Sequence, residues 1–132
     1  MTWTTEFPKF THHTPKVGVL HVGAHDGREI AAYSQFPRVV LVEPNPTRAA
    51  SLRGLGVDVI EAAVTTRPGP VTLWVTDRDE GSSILKPLTT YRTVVGVAVP
   101  TVRVDDILDV NVIVVDVQGA ECEVLDSGDL TR

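Results

Sequence analysis

The chain has 132 residues, with 12 basic and 17 acidic side chains and a formal net charge of −5. This length fits one domain, and 42% hydrophobic with 22% charged residues is typical of globular proteins. The excess negative charge lies in residues 67–132 and no basic stripe is present, so we expect no nucleic-acid partner. No apolar run reaches the roughly 18 residues of a membrane span, so we expect no membrane partner.

Residues 1–16 are predicted to be an irregular leader, because they contain two prolines, many threonines and a His pair. They lack the basic start and apolar stretch of a signal peptide, so we expect none. Residues 17–132 are predicted to form a single domain. The single cysteine, Cys122, excludes an internal disulfide and favours a reducing compartment, so we expect a cytoplasmic protein.

Apolar runs rich in β-branched residues alternate with helical patterns, which predicts an α/β fold with a doubly wound, mostly parallel sheet. The runs are apolar on both faces, as in strands that helices cover from both sides. Asn45 and Pro46 predict the start of the second helix, and Gly54 or Gly56 its end. The predicted elements are strand 17–22, helix 28–36 ending before Pro37, strand 38–43, the helix from Pro46, strands 57–64, 70–77, 94–104 and 110–117, and a closing helix.

Residues 70–104 interrupt the alternation, because two strand patterns follow each other with no long helix between them. Pro100 predicts that the 94–104 segment is an edge strand, a bulge or two short pieces. We therefore expect residues 70–104 to form an antiparallel addition at one edge of the sheet.

Three predicted strands end in residues that suit a ligand, and ligands bind open α/β sheets at the carboxyl ends of the strands. Gly23 and Gly27 permit a tight turn and close approach of a ligand, although their spacing is not that of a dinucleotide motif. Glu43 follows Gly23 by 20 residues, as does a carboxylate that binds ribose hydroxyls. Asp116 ends the 110–117 strand and lies in a pocket, caps the closing helix, or does both.

Five motifs occur in the order and spacing of a known family: HVGAHDG (21–27), LVEPNP (41–46), GSSIL (81–85), VRVDDIL (102–108) and VVDVQGAECEVLDSG (114–128). Over about residues 17–128 the chain resembles FkbM-type methyltransferases, class I enzymes that use S-adenosylmethionine and mostly O-methylate sugars and related hydroxyl-bearing compounds. The resemblance implies an abbreviated Rossmann-like methyltransferase fold.

The same resemblance implies roles for individual residues. The methionine part of S-adenosylmethionine would be wrapped by Gly23, Ala24, His25 and Gly27, and Glu43 would hold its ribose. The residues near the methyl group and the acceptor would be Asp116, Gln118 and Glu121. Asp116 is the first candidate for the base that accepts the hydroxyl proton, and His25 the second. Ser82 and Ser83 either line the acceptor side or belong to a flexible linker.

Two positions depart from the family pattern. His21 occupies the strand position where many members carry an acid that supports the methionine amine, and the resemblance implies that His21 binds the cofactor there. Val115 stands where many members carry a lysine. We expect no metal site, because the adjacent His12 and His13 have no further ligands at suitable spacing. Cys122 is predicted to pack as a small apolar residue inside the closing helix.

Three functions are compatible with these observations: an active methyltransferase, a non-catalytic derivative that serves as a structural or assembly subunit, and another nucleotide-binding module such as a nicotinamide-using one. The 110–117 strand would present a long apolar edge, which favours association unless something covers it. We expect either a docking partner there, in a homo-oligomer or with another chain, or that residues 94–104 fold back over it.

Overall fold

The computed structural model describes residues 17–77, 84–85, 94–117 and 120–129. In chain order the strands are β1 (Gly18–Val22), β2 (Arg38–Val42), β3 (Asp58–Ile60), β4 (Ala63–Val64), β5 (Val71–Thr76), β6 (Val94–Val99), β7 (Thr101–Val102) and β8 (Val112–Val115). The helices are α1 (Pro46–Arg53) and α2 (Glu121–Asp126), with 3₁₀ helices at Ile30–Tyr33 and Val104–Asp106.

The main sheet has four parallel strands in the order β3-β2-β1-β8, which confirms the predicted α/β fold with a parallel sheet. The registers bring Val22 level with Val42 on one side and with Val115 on the other. Since β1 and β8 are neighbours in the sheet but far apart in the chain, the strand order reverses between them. A crevice at such a reversal is where α/β sheets bind their ligands.

Alternating residues of the sheet supply apolar layers on its two faces. Val19 of β1 packs with Tyr33 and Phe36 on one face. Leu20 packs with Val104 and other residues on the opposite face. All five residues of β1 are buried. Complete burial of one aliphatic side chain contributes about 1.5–3 kcal/mol, so the two layers fix the register of the central strand.

Residues 28–36 do not form the predicted helix but a single 3₁₀ turn at Ile30–Tyr33. Its backbone bonds span three residues, as in the N–H of Ile30 to the carbonyl of Gly27 at 3.1 Å. The residue at the N-cap position makes no side-chain cap. Between Gly27 and Pro37 the chain must turn Tyr33 and Phe36 onto one face, and the 3₁₀ geometry aligns residues three apart.

The predicted strand 57–64 is two strands, β3 and β4, that pair in different sheets. Its first half pairs with β2, whose last ladder bond joins the N–H of Glu43 to the carbonyl of Ile60 at 3.0 Å. The chain of β2 turns away at Pro44, so the second half has no partner there. It pairs instead with β7, in parallel.

Residues 94–104 form β6 and β7 on either side of Pro100, one of the predicted outcomes. The predicted antiparallel pairing is confirmed, because β6 pairs antiparallel with β5. Its predicted place at one edge of the main sheet is wrong, because β5 and β6 form a two-stranded sheet of their own. The alternative that 94–104 folds back over the 110–117 strand is wrong, since both pieces pair elsewhere. Across the described ranges, no strand pairs with the outer edge of β8. The docking partner or homo-oligomer at that edge stays a prediction.

Helix α1 begins as the sequence predicts. The side chain of Asn45 accepts hydrogen bonds from the N–H groups of Thr47 and Arg48, with Pro46 at the first helical position, and Gly54 caps the other end. At eight residues it is the longest helix in the described part of the chain, where no helix is long and apolar enough to cross a membrane.

Candidate functional site

The three predicted ligand-binding strand ends lie side by side at the carboxyl ends of the parallel strands. Gly23, Glu43 and Asp116 each follow the last residue of a strand. Each donates its backbone N–H to the last carbonyl of the neighbouring strand at 2.9–3.0 Å. The pairing of β1 with both β2 and β8 therefore brings together residues that are more than 90 positions apart in the chain.

The turn after β1 needs glycine at its first position. Gly23 has φ +83°, and a Cβ added there would lie 2.0 Å from the carbonyl oxygen of Asp116. This is a backbone–backbone contact, so no flexible side chain can move to make room. The absence of a Cβ at Gly23 lets the ends of β1 and β8 come together.

His25 follows in the same turn and has φ +54°, a left-handed conformation that costs a non-glycine residue roughly 1–2 kcal/mol. Its N–H donates to Oε1 of Glu43 at 3.0 Å. This bond holds the strained residue in place. Strain of this kind is concentrated at functional sites, where the surrounding structure over-determines it.

Glu43 is 5% exposed, and its carboxylate joins two turns. Oε1 accepts the N–H of His25 and Oε2 accepts the N–H of Asn45, both at 3.0 Å. Charged acceptors make the stronger hydrogen bonds, which offsets the cost of burying the carboxylate. Each oxygen can accept more than one bond, so the carboxylate retains capacity for hydroxyl donors from a ligand.

A first cleft opens over these strand ends and has an apolar floor. Its polar rim includes Gly23, His25, Glu43 and Asp116. The space between its walls, counted out to the open mouth, is about 590 Å³. The floor is formed by Ala62, Ala63, Leu73, Ile84, Val117 and Ala120.

A second cleft adjoins the first and is polar. It is lined by Asp26, Arg28, Glu29 and the turn from Gly23 to His25, among others. The guanidinium of Arg28 bonds both carboxylate oxygens of Asp26, with the shortest contact at 2.9 Å. These hydrogen bonds lower the pKa of Asp26 to about 2.

The two clefts share four residues, namely Gly23, His25, Arg48 and Asp116.

The family model for the FkbM methyltransferase domain matches residues 21–132. The chain belongs to this family. The resemblance drawn from the sequence is therefore confirmed. No curated protein and no solved structure gives a match.

Most of the predicted FkbM cofactor residues lie around the two clefts. Gly23, His25 and Glu43 line the first cleft, and Ala24 lines the second. Gly27 lines neither; its φ is +75°, and a Cβ there would approach the side chain of Leu55 to 2.8 Å. Gly27 thus allows the turn to pack against the end of α1.

His21 also lines neither cleft and is 4% exposed. Its Nδ1 lies 2.7 Å from the hydroxyl of Tyr33, and the two rings meet edge to face. Burial, with a smaller contribution from nearby His25, lowers the pKa of His21 to about 4. Burial also raises the pKa of Tyr33, so both rings are neutral at pH 7.

Among the residues predicted near the acceptor, Asp116 is exposed and lies where the two clefts meet. It does not cap the closing helix, because Ala120 occupies the N-cap position of α2 without a side-chain cap. Glu121 is half-buried in the first turn of α2 and lines neither cleft. Gln118, Ser82 and Ser83 lie outside the described residues.

Several residues of the clefts were not predicted. Arg48, in the first turn of α1, lines both clefts, and Asn45 lines the first. The LVEPNP motif contained the signal for Asn45, since a helix cap directly after Glu43 must face the same edge. The floor residues gave no signal, because short apolar side chains such as Ala62 and Ala63 do not differ from core residues.

Hydrogen bonds to Glu123 hold helix α2 beside the site. Glu123 accepts hydrogen bonds from the hydroxyl of buried Thr65 and from the guanidinium of Arg67. Burial acts to raise the pKa of Glu123, but these two bonds outweigh it and leave the pKa below its ordinary value. Cys122, predicted to pack as an apolar residue, is exposed instead. Within the described ranges, no three His, Cys, Asp or Glu side chains are grouped to hold a metal ion.

Proposed function

We propose that the protein is an S-adenosylmethionine-dependent methyltransferase that methylates a hydroxyl group of a polar acceptor, such as a sugar. The observation that carries this proposal is the wall shared by the two clefts. A nucleoside bound in the apolar-floored first cleft would place its methionine part along the turn from Gly23 to His25, and an acceptor bound in the rest of the polar second cleft would meet it beside Asp116. FkbM family membership supports the type of reaction.

The residues of the first cleft fit the chemistry of this cofactor. The Glu43 carboxylate is an acceptor at the cleft rim, and ribose hydroxyls are donors. The apolar floor, including Ala62 and Leu73, suits one face of an adenine ring. Gly23 leaves the turn after β1 without a side chain, so a ligand can approach the backbone closely.

When bound, S-adenosylmethionine supplies a methyl group on a positively charged sulfur. The chain's own part is to hold the acceptor hydroxyl in line with that group, and such positioning accounts for much of the acceleration in a bimolecular transfer. Asp116 is exposed at the junction and can accept the hydroxyl proton. Apart from Ala24 and the backbone, the second cleft is lined by charged side chains and His25, which suits a hydroxyl-rich acceptor.

The test has a binding step and a transfer step. Calorimetry with S-adenosylmethionine should give a binding signal and calorimetry with NAD none, and the reverse would refute the cofactor assignment. Incubation with cofactor and a panel of glycans should then add 14 Da, one methylene equivalent, to an acceptor, as measured by mass spectrometry. Cofactor binding without transfer to any hydroxyl acceptor would favour a non-catalytic subunit.

Asp116→Asn tests the base. We expect cofactor binding to be retained and transfer to fall by about 10²–10⁴-fold, the usual contribution of a general base. Asp109→Asn is the matched control, because Asp109 lies at the opposite ends of the strands, beside Gly18, the first residue of β1. Asparagine also tolerates the left-handed backbone of Asp109, whose φ is +62°. Equal activity of the two variants would exclude Asp116 as the base.

A further inference from the structure

A side-chain contact joins the two segments that flank the turn 23–27, which follows β1 and lines the second cleft. His21 lies two residues before Gly23, and Tyr33 ends the 3₁₀ helix that follows the turn. Their contact, with the Tyr33 hydroxyl 2.7 Å from Nδ1 of His21, spans 12 residues and encloses all of residues 23–27. Tyr33 is 0% exposed, so the contact lies in the apolar layer beneath the turn.

We propose that His21 and Tyr33 are positioning residues that hold the turn 23–27 in the shape required for cofactor binding, and that neither touches the cofactor. This inference rests on the proposed function.

The structure supports an indirect action for both residues. Neither lines either cleft, whereas Gly23, Ala24 and His25, which lie between them in the chain, do. On its upper side the turn is held by the bond from His25 to Glu43. On its lower side the contact of His21 with Tyr33 fixes the distance between the strand that enters the turn and the helix that leaves it.

The contact is also well suited to be permanent. The low pKa of His21 keeps its ring neutral at pH 7, so it offers one protonated and one accepting nitrogen. The raised pKa of Tyr33 keeps its hydroxyl protonated. A neutral hydrogen bond between two buried rings is not weakened by salt, and its loss in the apolar layer is unfavourable.

The test compares Tyr33→Phe, His21→Leu and the double variant. We expect each single variant to bind S-adenosylmethionine about two- to tenfold more weakly, the range for loss of one neutral hydrogen bond. In the double variant both polar groups are gone, so stability in urea should largely recover while affinity stays low. Amide hydrogen exchange should be faster in residues 23–27 of all three variants.

Phe36→Leu is the control, because Phe36 belongs to the same apolar layer but lies outside the turn. It should lose stability without losing affinity. Recovery of affinity together with stability in the double variant would show that the pair is merely structural, and would overturn the proposal. So would loss of binding in His21→Leu alone, which would indicate direct contact with the cofactor. If the wild-type protein binds no S-adenosylmethionine, the proposed function fails, and the exchange measurement still tests whether the pair shapes the turn.

Discussion

Replacing the pair His21–Tyr33 by Leu and Phe should remove a specific part of the acid sensitivity of the fold. The pKa of His21 is about 4 in the folded protein and 6.5 in its ordinary state. Between these values the unfolded chain binds one proton more than the folded chain, so stability decreases as the pH falls. The contribution of neutral His21 to the free energy of unfolding is complete above pH 6.5 and is lost as the pH falls from 6.5 towards 4.

The size of this effect follows from the two pKa values. At pH 4.5 the wild-type protein should have lost about 2–3 kcal/mol of unfolding free energy through His21 alone, since each unit of pKa corresponds to roughly 1.4 kcal/mol. This is a large part of a total stability of about 5–15 kcal/mol. The loss should be absent from the double variant, which has no titrating group at that position.

The assay is urea unfolding at pH 7 and at pH 4.5, followed by circular dichroism, for the wild type, the double variant and Phe36→Leu. The control should keep the full pH dependence of the wild type, because it retains the imidazole. Carboxylates elsewhere in the chain also make the stability sensitive to acid, but they do so equally in all three proteins. If the wild type and the double variant lose the same free energy between the two pH values, His21 is not buried as a neutral ring.

Three further substitutions test the site. Gly23→Ala should destabilise the fold by more than about 3 kcal/mol in urea unfolding, and Gly56→Ala by only about 1–2 kcal/mol, because both have positive φ but only the first meets a carbonyl oxygen; equal losses would contradict the collision. Glu43→Gln should lower stability by about 1–3 kcal/mol and abolish calorimetric binding of S-adenosylmethionine, whereas Glu61→Gln, which directly follows β3 and lies outside both clefts, should do neither. Thr65→Val should lower the free energy of unfolding by about 1–3 kcal/mol at pH 7 and raise the pKa of Glu123, whose carboxylate accepts the Thr65 hydroxyl, as measured by NMR titration. An unchanged pKa of Glu123 would show that Thr65 does not hold this carboxylate.

The sequence predicted the parallel sheet because its signal is local. A run such as residues 17–22, apolar on both faces, has few alternatives to a buried strand, and Asn45 with Pro46 marks a helix start by its own chemistry. The adjacency of Gly23 and Glu43 followed from the geometry of parallel strands.

The errors arose where distant partners decide the structure. Residues 28–36 have a helical pattern, but the packing of Tyr33 and Phe36 on the sheet shortens the segment to one 3₁₀ turn. The break after Ile60 depends on where β2 ends, and the floor of the first cleft comes from segments far apart in the chain, such as Leu73 and Ala120. Single-sequence patterns do not contain such pairings.

Glu43 shows why a ligand residue and a structural residue cannot be separated by sequence position alone. Its place after β2 predicts a ribose acceptor, and nothing in the sequence indicates that its two oxygens also hold His25 and Asn45. A carboxylate fixed by backbone N–H groups has already lost its rotational freedom, so a ligand hydroxyl that binds it orders nothing further. The strained backbone of His25 is held by the same group. Preorganisation of the cleft and affinity for the ligand therefore depend on one side chain, and a variant at Glu43 must be judged by stability and by binding together.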